Sequence, residues 1–206
     1  EPRATQEEMT NFIETELTES LKGLPTRTTQ FGRFDKGLAY TILMKYYMHE
    51  KNWAKAEECG RELLKAEYGY GLMDRYADIF TLENEGNKEI IFACTEERGT
   101  NLQLWHDHAL PGNYPTKNAS IQKWDGYKVP WPFYRTFEEG DDRLSVLVGE
   151  YVGTDGVLFN EESDIAKHGN LYSGAVPVKY GEDPESTGDG SQIDLVVYRY
   201  ADVLTL

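Results

Sequence analysis

Between residues 34 and 66, apolar side chains recur every three or four positions, which is the spacing that lines one face of an α-helix. Asp35 can cap a first helix and Asn52 a second one, and Gly69 supplies a left-handed stop beyond them. The turn from His49 to Asn52 is so short that the two helices must lie antiparallel. The pattern therefore predicts a helical hairpin, with one apolar stripe made of Leu38, Ala39, Ile42, Leu43, Tyr46 and Tyr47 and another made of Trp53, Ala56, Cys59, Leu63 and Leu64.

The register of this hairpin is that of a tetratricopeptide unit. Tyr40, Leu43 and Tyr47 fall on its first helix, and Trp53 and the small Ala56 on its second. A single unit of this kind cannot bury both of its apolar faces. We therefore expect the hairpin to stack on other helices.

Other elements are predicted on either side of the hairpin. A first helix should run from about residue 6 to 22, because Thr5 and Glu8 have the spacing of a capping box. The apolar run at 89–95 predicts a strand. Asp194 can cap a final segment at 196–206 that has the pattern of an opening helix. The apolar stripe of the first helix is expected to contain Met9, Phe12, Ile13, Leu17 and Leu21.

Residues 96–135 break this regular pattern. The segment contains three of the four tryptophans and half of the eight prolines, and no helical or strand period survives across it. Long structured loops inside compact domains are uncommon and are often functional. We expect a ligand site here, among the aromatic residues Trp105, Tyr114, Trp124, Tyr127, Trp131, Phe133 and Tyr134.

Composition and charge exclude some classes of function. The chain of 206 residues has a formal charge of −15, and residues 136–206 contribute fifteen acids against four bases, or −11. Nucleic acid is therefore not an expected partner, because phosphate contacts need clustered lysines and arginines. No run is long and apolar enough for a membrane span. Cys59 and Cys94 are interpreted as buried thiols.

Several ordered blocks of the sequence resemble the SusD/RagB family, outer-membrane lipoproteins of Bacteroidetes that capture glycans or other nutrients. The blocks are GRFDKGLAYTILMKYYMHEKNWAKAEECGRELL, YGL with DIF, NKEIIFA, FYRTFEEGDDR, VKY and VVYRYADVL. Each block is degenerate alone, and their order across nearly the whole chain carries the resemblance.

The resemblance implies a mostly α fold, in which tetratricopeptide-like hairpins support a loop-rich half with a few short strands. It implies a single SusD-like domain over residues 1–206, expected to be a fragment, with a helical scaffold at 1–80, a ligand-binding part at 81–195 and the start of a truncated helix at 196–206. It also implies a position at the outer-membrane surface, through a lipid anchor outside this chain, and a TonB-dependent transporter of the SusC type as partner.

The expected ligand is a glycan. The C–H faces of sugars lie flat on aromatic rings while their hydroxyls bind a few polar groups. The expected ligand-binding residues are Trp105, Tyr114, Trp124, Tyr127, Trp131 and Asn101. Core packing is the alternative for any single ring, and Trp105, Tyr114 and Trp124 are favoured as exposed because their neighbours are the most polar.

No metal or cofactor is expected. His106 and His108 flank Asp107 in a spacing seen at metal sites, but no third ligand lies near in sequence. Residues 183–194 could be aligned with a calcium loop that has Gly188 at its glycine position, but they lack good ligands at several positions. A polar loop and a solvated acidic turn are the favoured interpretations.

The leading hypothesis is a non-catalytic glycan-binding protein that delivers its ligand to the transporter. The alternative is a helical-repeat module that binds protein or peptide, as in RagB-like peptide uptake. Glycoside hydrolysis would rest only on the carboxylate pairs 138–139 and 141–142. These adjacent residues do not suggest two carboxylates facing each other across a cleft.

Overall fold

The computed structural model describes residues 3–206, in which seven α-helices and seven short strands follow one another along the chain. The helices are α1 (Gln6–Ser20), α2 (Lys36–His49), α3 (Trp53–Leu63), α4 (Trp105–Ala109), α5 (Trp131–Tyr134), α6 (Glu161–Lys167) and α7 (Tyr200–Thr205). The strands are β1 (Ile90–Cys94), β2 (Val129–Pro130), β3 (Leu147–Val148), β4 (Glu150–Val152), β5 (Leu158–Asn160), β6 (Gly174–Pro177) and β7 (Leu195–Arg199). The expected fold class, mostly α with a loop-rich part that contains short strands, is confirmed.

The chain forms two compact units. The helical unit consists of residues 3–72, 88–94 and 196–206, and the loop-rich unit of residues 73–87 and 95–195. Of the predicted scaffold at 1–80, residues 73–80 belong to the loop-rich unit. The helical unit contains in their place the segment 88–94 and the last residues of the chain, because β1 pairs with β7.

The predicted hairpin is present as α2 and α3. The Asp35 carboxylate accepts the Leu38 N–H at 3.0 Å, and the Asn52 side chain accepts the Lys55 N–H at 3.3 Å. Each cap satisfies a backbone donor that the first turn of a helix leaves unpaired. The local signals in the sequence therefore define where both helices begin.

The core of the helical unit lies between these two helices. Leu43 and Tyr47 of α2 pack with Cys59 and Leu63 of α3, and the small Ala56 is buried between them. Burying one leucine side chain such as Leu63 contributes about 2 kcal/mol. The stripe predicted from the spacing is thus mostly used in packing.

Helix α1 differs from the expectation. Its capping box is present, because Thr5 accepts the Glu8 N–H and the Glu8 carboxylate accepts the Thr5 N–H. However, α1 has no fully buried residue, and Phe12 is 59% exposed. Only the end of the predicted stripe, Leu17 and Leu21, packs against the core of the helical unit.

The last segment also differs from the expected helix. Residues 195–199 form strand β7, which pairs with β1, and the helix begins only at Tyr200. The β-branched Val196 and Val197 fit a strand better than a helix. In β1, Ile90, Ile91 and Ala93 are buried. Cys94 at its end is exposed, so the expectation of a buried thiol is right for Cys59 and wrong for Cys94.

The loop-rich unit has its own sheet and core. Strand β6 lies between β2 and β3 and is antiparallel to both, with Val129 opposite Ala175 and Val148 opposite Val176. Strands β4 and β5 form a separate antiparallel hairpin. The core packed on β6 consists of Leu110, Ile121, Trp131, Tyr151, Leu171, Ala175 and Val176. No helix of the described residues is long and apolar enough to cross a membrane.

Candidate ligand-binding surface

Helix α4, with the sequence WHDHA, is anchored in the loop-rich unit by its two central residues. Asp107 is only 1% exposed, and its carboxylate accepts the Gly190 N–H with both oxygens, at 3.1 and 3.3 Å. His106 is also buried, and its Nε2–H donates to the Gly181 carbonyl oxygen. Both of these side chains point inward, and the rings of Trp105 and His108 lie on another face of the helix.

The segment 124–127 is held against the last turn of α4 by main-chain hydrogen bonds. The Trp124 N–H donates to the Asp107 carbonyl at 2.6 Å, and the Gly126 N–H donates to the His108 carbonyl at 2.6 Å. These bonds satisfy carbonyls that the end of a helix leaves unpaired. Asp125 has φ of +57°, a left-handed conformation that aspartate tolerates better than most residues. The segment is therefore a fixed turn.

Four rings meet where this turn crosses the helix, and we call them the aromatic cluster: Trp105, His108, Trp124 and Tyr127. The ring centroid of His108 lies 5.0 Å from that of Trp124 and 5.0 Å from that of Tyr127, and Trp105 lies 5.6 Å from Tyr127. Trp124 is 46% exposed and Tyr127 45% exposed. The cluster thus presents two large ring surfaces to solvent, joined through a half-buried imidazole.

Trp105 connects the aromatic cluster to the interior of the loop-rich unit. Its indole N–H donates to the Pro177 carbonyl at 2.8 Å, and its ring packs edge-on against the buried Tyr180 at 5.5 Å. This N–H is therefore satisfied within the protein. Trp105 acts mainly as a support for the rings above it.

The other predicted site residues lie elsewhere in the unit. Tyr114 is half-buried, 5.0 Å from the ring of Tyr151, and burial raises the pKa of its hydroxyl. Trp131 is 6% exposed, and its indole N–H donates to a core carbonyl, that of Leu171, at 2.9 Å. Asn101 lies in an exposed turn, where its amide donates to the Thr95 carbonyl at 2.8 Å. The structure brings Trp105, Trp124 and Tyr127 together in the aromatic cluster. Tyr114, Trp131 and Asn101 are not part of it.

His108 belongs to the aromatic cluster, although the sequence indicates only a polar loop at this position, with a metal site as the disfavoured alternative. His106 and His108 do not form a pair on one face, because His106 is buried and hydrogen-bonded. Within residues 3–206, no three potential ligands come close enough to hold a metal. Trp105 and His108 are three residues apart, the spacing of neighbours on a helix, but the surrounding glycines and prolines conceal that α4 is helical.

The acidic segment 181–194 is only in part the solvated turn that we expect, because Glu185 and Asp189 are exposed whereas two other acids are buried. Asp183 is fully buried, forms an ion pair with Arg98 at 3.2 Å, and accepts the Gln192 N–H at 3.0 Å. Asp194 is also buried and accepts the Glu96 N–H at 2.8 Å, while its burial raises its pKa. Both carboxylates are used to hold the segment in place.

The carboxylates at 138–142 have the wrong environment for a glycosidase. Hydrogen bonds from the Arg143 side chain and N–H lower the pKa of Asp141. Glu138 and Glu139 are exposed, and Asp142 accepts the Tyr76 N–H. A general acid for glycoside hydrolysis needs a raised pKa and a second carboxylate facing it. This segment supplies a capped turn, and Asp141 caps the 3₁₀-helix Asp142–Val146.

Comparison with models of protein families finds no match, and comparison with curated protein sequences finds none either. Solved structures match over nearly the whole chain. Surface glycan-binding protein A from Bacteroides thetaiotaomicron, in complex with laminarihexaose, matches with a TM-score of 0.73 at 19% identity, over 97% of this chain and 49% of that one. The chain has a SusD-like fold.

Two further structures lead to the same assignment. Surface glycan-binding protein A from Bacteroides uniformis matches with a TM-score of 0.73 at 18% identity, over 98% of this chain and 45% of that one. A SusD superfamily protein from Parabacteroides distasonis matches with a TM-score of 0.73 at 16% identity, also over 98% and 45%. The chain therefore spans about half the length of these SusD-like structures, and the resemblance seen in the sequence blocks is confirmed at the level of the fold.

Proposed function

We propose that the chain binds a glycan without catalysis, and that the aromatic cluster is the binding surface. The observation that carries this proposal is the pair of exposed rings, Trp124 and Tyr127, joined through His108. Flat aromatic surfaces of this kind suit the C–H faces of a sugar. Asp125 lies between the two rings in sequence and offers a carboxylate to sugar hydroxyls.

The rigidity of the turn supports the same proposal. Main-chain hydrogen bonds fix residues 124–127 on α4 before any ligand arrives, so little conformational entropy would be lost on binding. Tyr127 adds a phenol hydroxyl beside its ring face. A preformed surface with few polar groups is typical of binding sites for small ligands.

The wider role is part of the proposal. The SusD-like fold and the names of two of the matched structures, surface glycan-binding proteins, support a place at the cell surface. There the protein would be held in the outer membrane by a lipid anchor and would pass its glycan to a SusC-like TonB-dependent transporter. Transfer needs moderate affinity, because a ligand held too tightly is released too slowly.

Peptide binding by the hairpin receives less support. Leu43, Tyr47 and Cys59 of the predicted stripe are buried in the core of the helical unit, and so are not available to a peptide. We therefore retain glycan binding as the proposed function.

Calorimetry with the full-length protein tests this proposal. A panel of neutral hexasaccharides, with laminarihexaose among them, should contain at least one ligand. Trp124→Ala should weaken its binding about tenfold or more, since exposed anchor rings dominate such interfaces. Trp53→Ala is the matched control, because Trp53 is a 58% exposed tryptophan of the helical unit. Equal binding by Trp124→Ala and Trp53→Ala would move the site away from the aromatic cluster.

A further inference from the structure

The negative charge of the protein is concentrated in the unit that carries the aromatic cluster. The loop-rich unit contains 22 acidic and 9 basic residues, a formal charge of −13, out of −15 for the whole chain. Such an imbalance produces a negative potential over the surface of the unit, which repels anions and attracts cations.

The lysines nearest to the cluster in sequence are already engaged. Lys128 forms an ion pair with Asp125 and is largely buried. The Lys123 ammonium donates to the Tyr114 carbonyl at 2.7 Å, in a half-buried position where desolvation lowers its pKa. Neither cation is available to a ligand without giving up a partner that it has in the protein.

The third nearby lysine is engaged in a different way. The Lys179 ammonium lies over the ring of Phe80, 4.4 Å from its centroid, and 5.7 Å from that of Tyr180, which in turn packs on Trp105. A cation held over aromatic faces gives up part of that attraction when it turns to another partner. Asp125, the partner of Lys128, follows directly after Trp124, and its side chain is 32% exposed.

We propose that the aromatic cluster takes uncharged glycans and excludes glycans that carry carboxylates or sulfates. This inference rests on the proposed function and narrows its substrate class. Recognition of an anionic sugar requires a cation that can form a charge-assisted hydrogen bond. Lys128, Lys123 and Lys179 are already held, by a carboxylate, a main-chain carbonyl and aromatic rings respectively. An anionic sugar stacked on Trp124 would find Lys128 already paired with Asp125 and would meet the negative field of the unit.

The test compares each neutral hexasaccharide of the panel with the same molecule after oxidation of its C6 hydroxyls to carboxylates. The pyranose ring faces that stack on the aromatic residues are the same in both forms, so the charge is the main difference. At low ionic strength the oxidised form should bind about tenfold more weakly than the neutral form, or not at all. Added salt should reduce this difference in affinity because it screens the repulsion. Binding of the neutral form should change little with salt.

The outcomes are distinct. An oxidised glycan that binds as tightly as its neutral parent, or more tightly, with an affinity that falls as salt is added, would overturn this inference and leave glycan binding intact. If no neutral and no oxidised glycan binds, the proposed function itself fails and this inference fails with it.

A charge variant provides a second test. Asp125→Asn removes the carboxylate, frees Lys128 and retains a side chain that tolerates the left-handed backbone at this position. At low ionic strength it should raise the affinity for the oxidised glycan about tenfold. Glu139→Gln, the same charge change at an exposed residue of the same unit, should raise it less. An unchanged affinity in Asp125→Asn would count against the inference.

Discussion

The imidazole of His108 stacks on the phenol ring of Tyr127, with ring centroids 5.0 Å apart and ring planes inclined by 29°. The same two residues are joined through the main chain, because the Tyr127 N–H donates to the His108 carbonyl at 2.5 Å. The main-chain hydrogen bond therefore positions the Tyr127 ring against His108. A ring held in this way keeps its orientation when a ligand arrives, and this supports the proposal that the binding surface lies here.

Replacement of Tyr127 separates the ring from its hydroxyl. Tyr127→Phe keeps the stacking face and should bind glycan within about threefold of the wild type, whereas Tyr127→Ala should lose about tenfold, because the face supplies most of the contact. Calorimetry measures both. The tyrosine is 45% exposed, so the melting temperatures of the variants should stay close to the wild type. An equal loss in both variants would show that the hydroxyl, and not the ring, makes the contact.

Trp131 should matter for stability. Its side chain is buried in the core of the loop-rich unit, and a buried Trp→Ala change usually costs about 3–5 kcal/mol of the free energy of unfolding. Denaturant unfolding measures this cost. Trp53→Ala, at an exposed position, should stay within about 0.5 kcal/mol of the wild type. If Trp131→Ala unfolded at the same denaturant concentration as Trp53→Ala, the assignment of Trp131 to the core would be wrong.

The ion pair between Arg98 and Asp183 should show coupling in a double-mutant cycle. Arg98→Ala leaves a fully buried carboxylate without its cation. Asp183 keeps the N–H groups of Glu185 and Gln192 as donors, so we expect a loss of about 1–3 kcal/mol. Adding Asp183→Asn to Arg98→Ala should cost less than Asp183→Asn alone. Strictly additive losses would mean that the pair does not interact.

Asp194 should give stability a dependence on pH. Burial raises the pKa of its carboxyl, so the folded protein holds this proton more tightly than the unfolded chain, where the pKa is about 3.9. The contribution of Asp194 to stability is therefore full below about pH 3.9 and is lost as the pH rises through the raised value.

Asp194→Asn isolates this effect. Asparagine is neutral at every pH and its amide oxygen can still accept the Glu96 N–H. The free energy of unfolding of the variant minus that of the wild type should therefore increase as the pH is raised from about 4 and then level off. Urea unfolding at a series of pH values measures this difference. A difference that is constant with pH, or that decreases, would contradict the assignment.

Local signals made the hairpin predictable. The caps Asp35 and Asn52 act on N–H groups three residues ahead, and the helical period lies within each element, so no distant residue is needed to recognise them. The same period could not show whether a stripe is covered. Phe12 has the spacing of a buried residue and yet is exposed, because burial depends on what packs against α1 and not on α1 itself.

The proposed binding surface was only partly predictable for the same reason. Polar neighbours in the sequence correctly favoured exposure of Trp124, but they favoured exposure of Trp105 and Tyr114 as well, and both of these are half-buried. Trp131 reaches the Leu171 carbonyl, whereas Trp124 is held by the main chain of α4. His108 was recognised as a polar residue of the loop, but its place between two rings depends on how the turn at 124–127 folds back.

Main-chain hydrogen bonds hold the turn at 124–127 on α4. The backbone of the turn is therefore held independently of the side chains that it exposes. Trp124 and Tyr127 could be exchanged for other side chains without disturbing the bonds that hold the turn. Two substitutions are therefore enough to present a different surface on the same backbone. The two positions are therefore the first targets for redesigning the proposed binding surface.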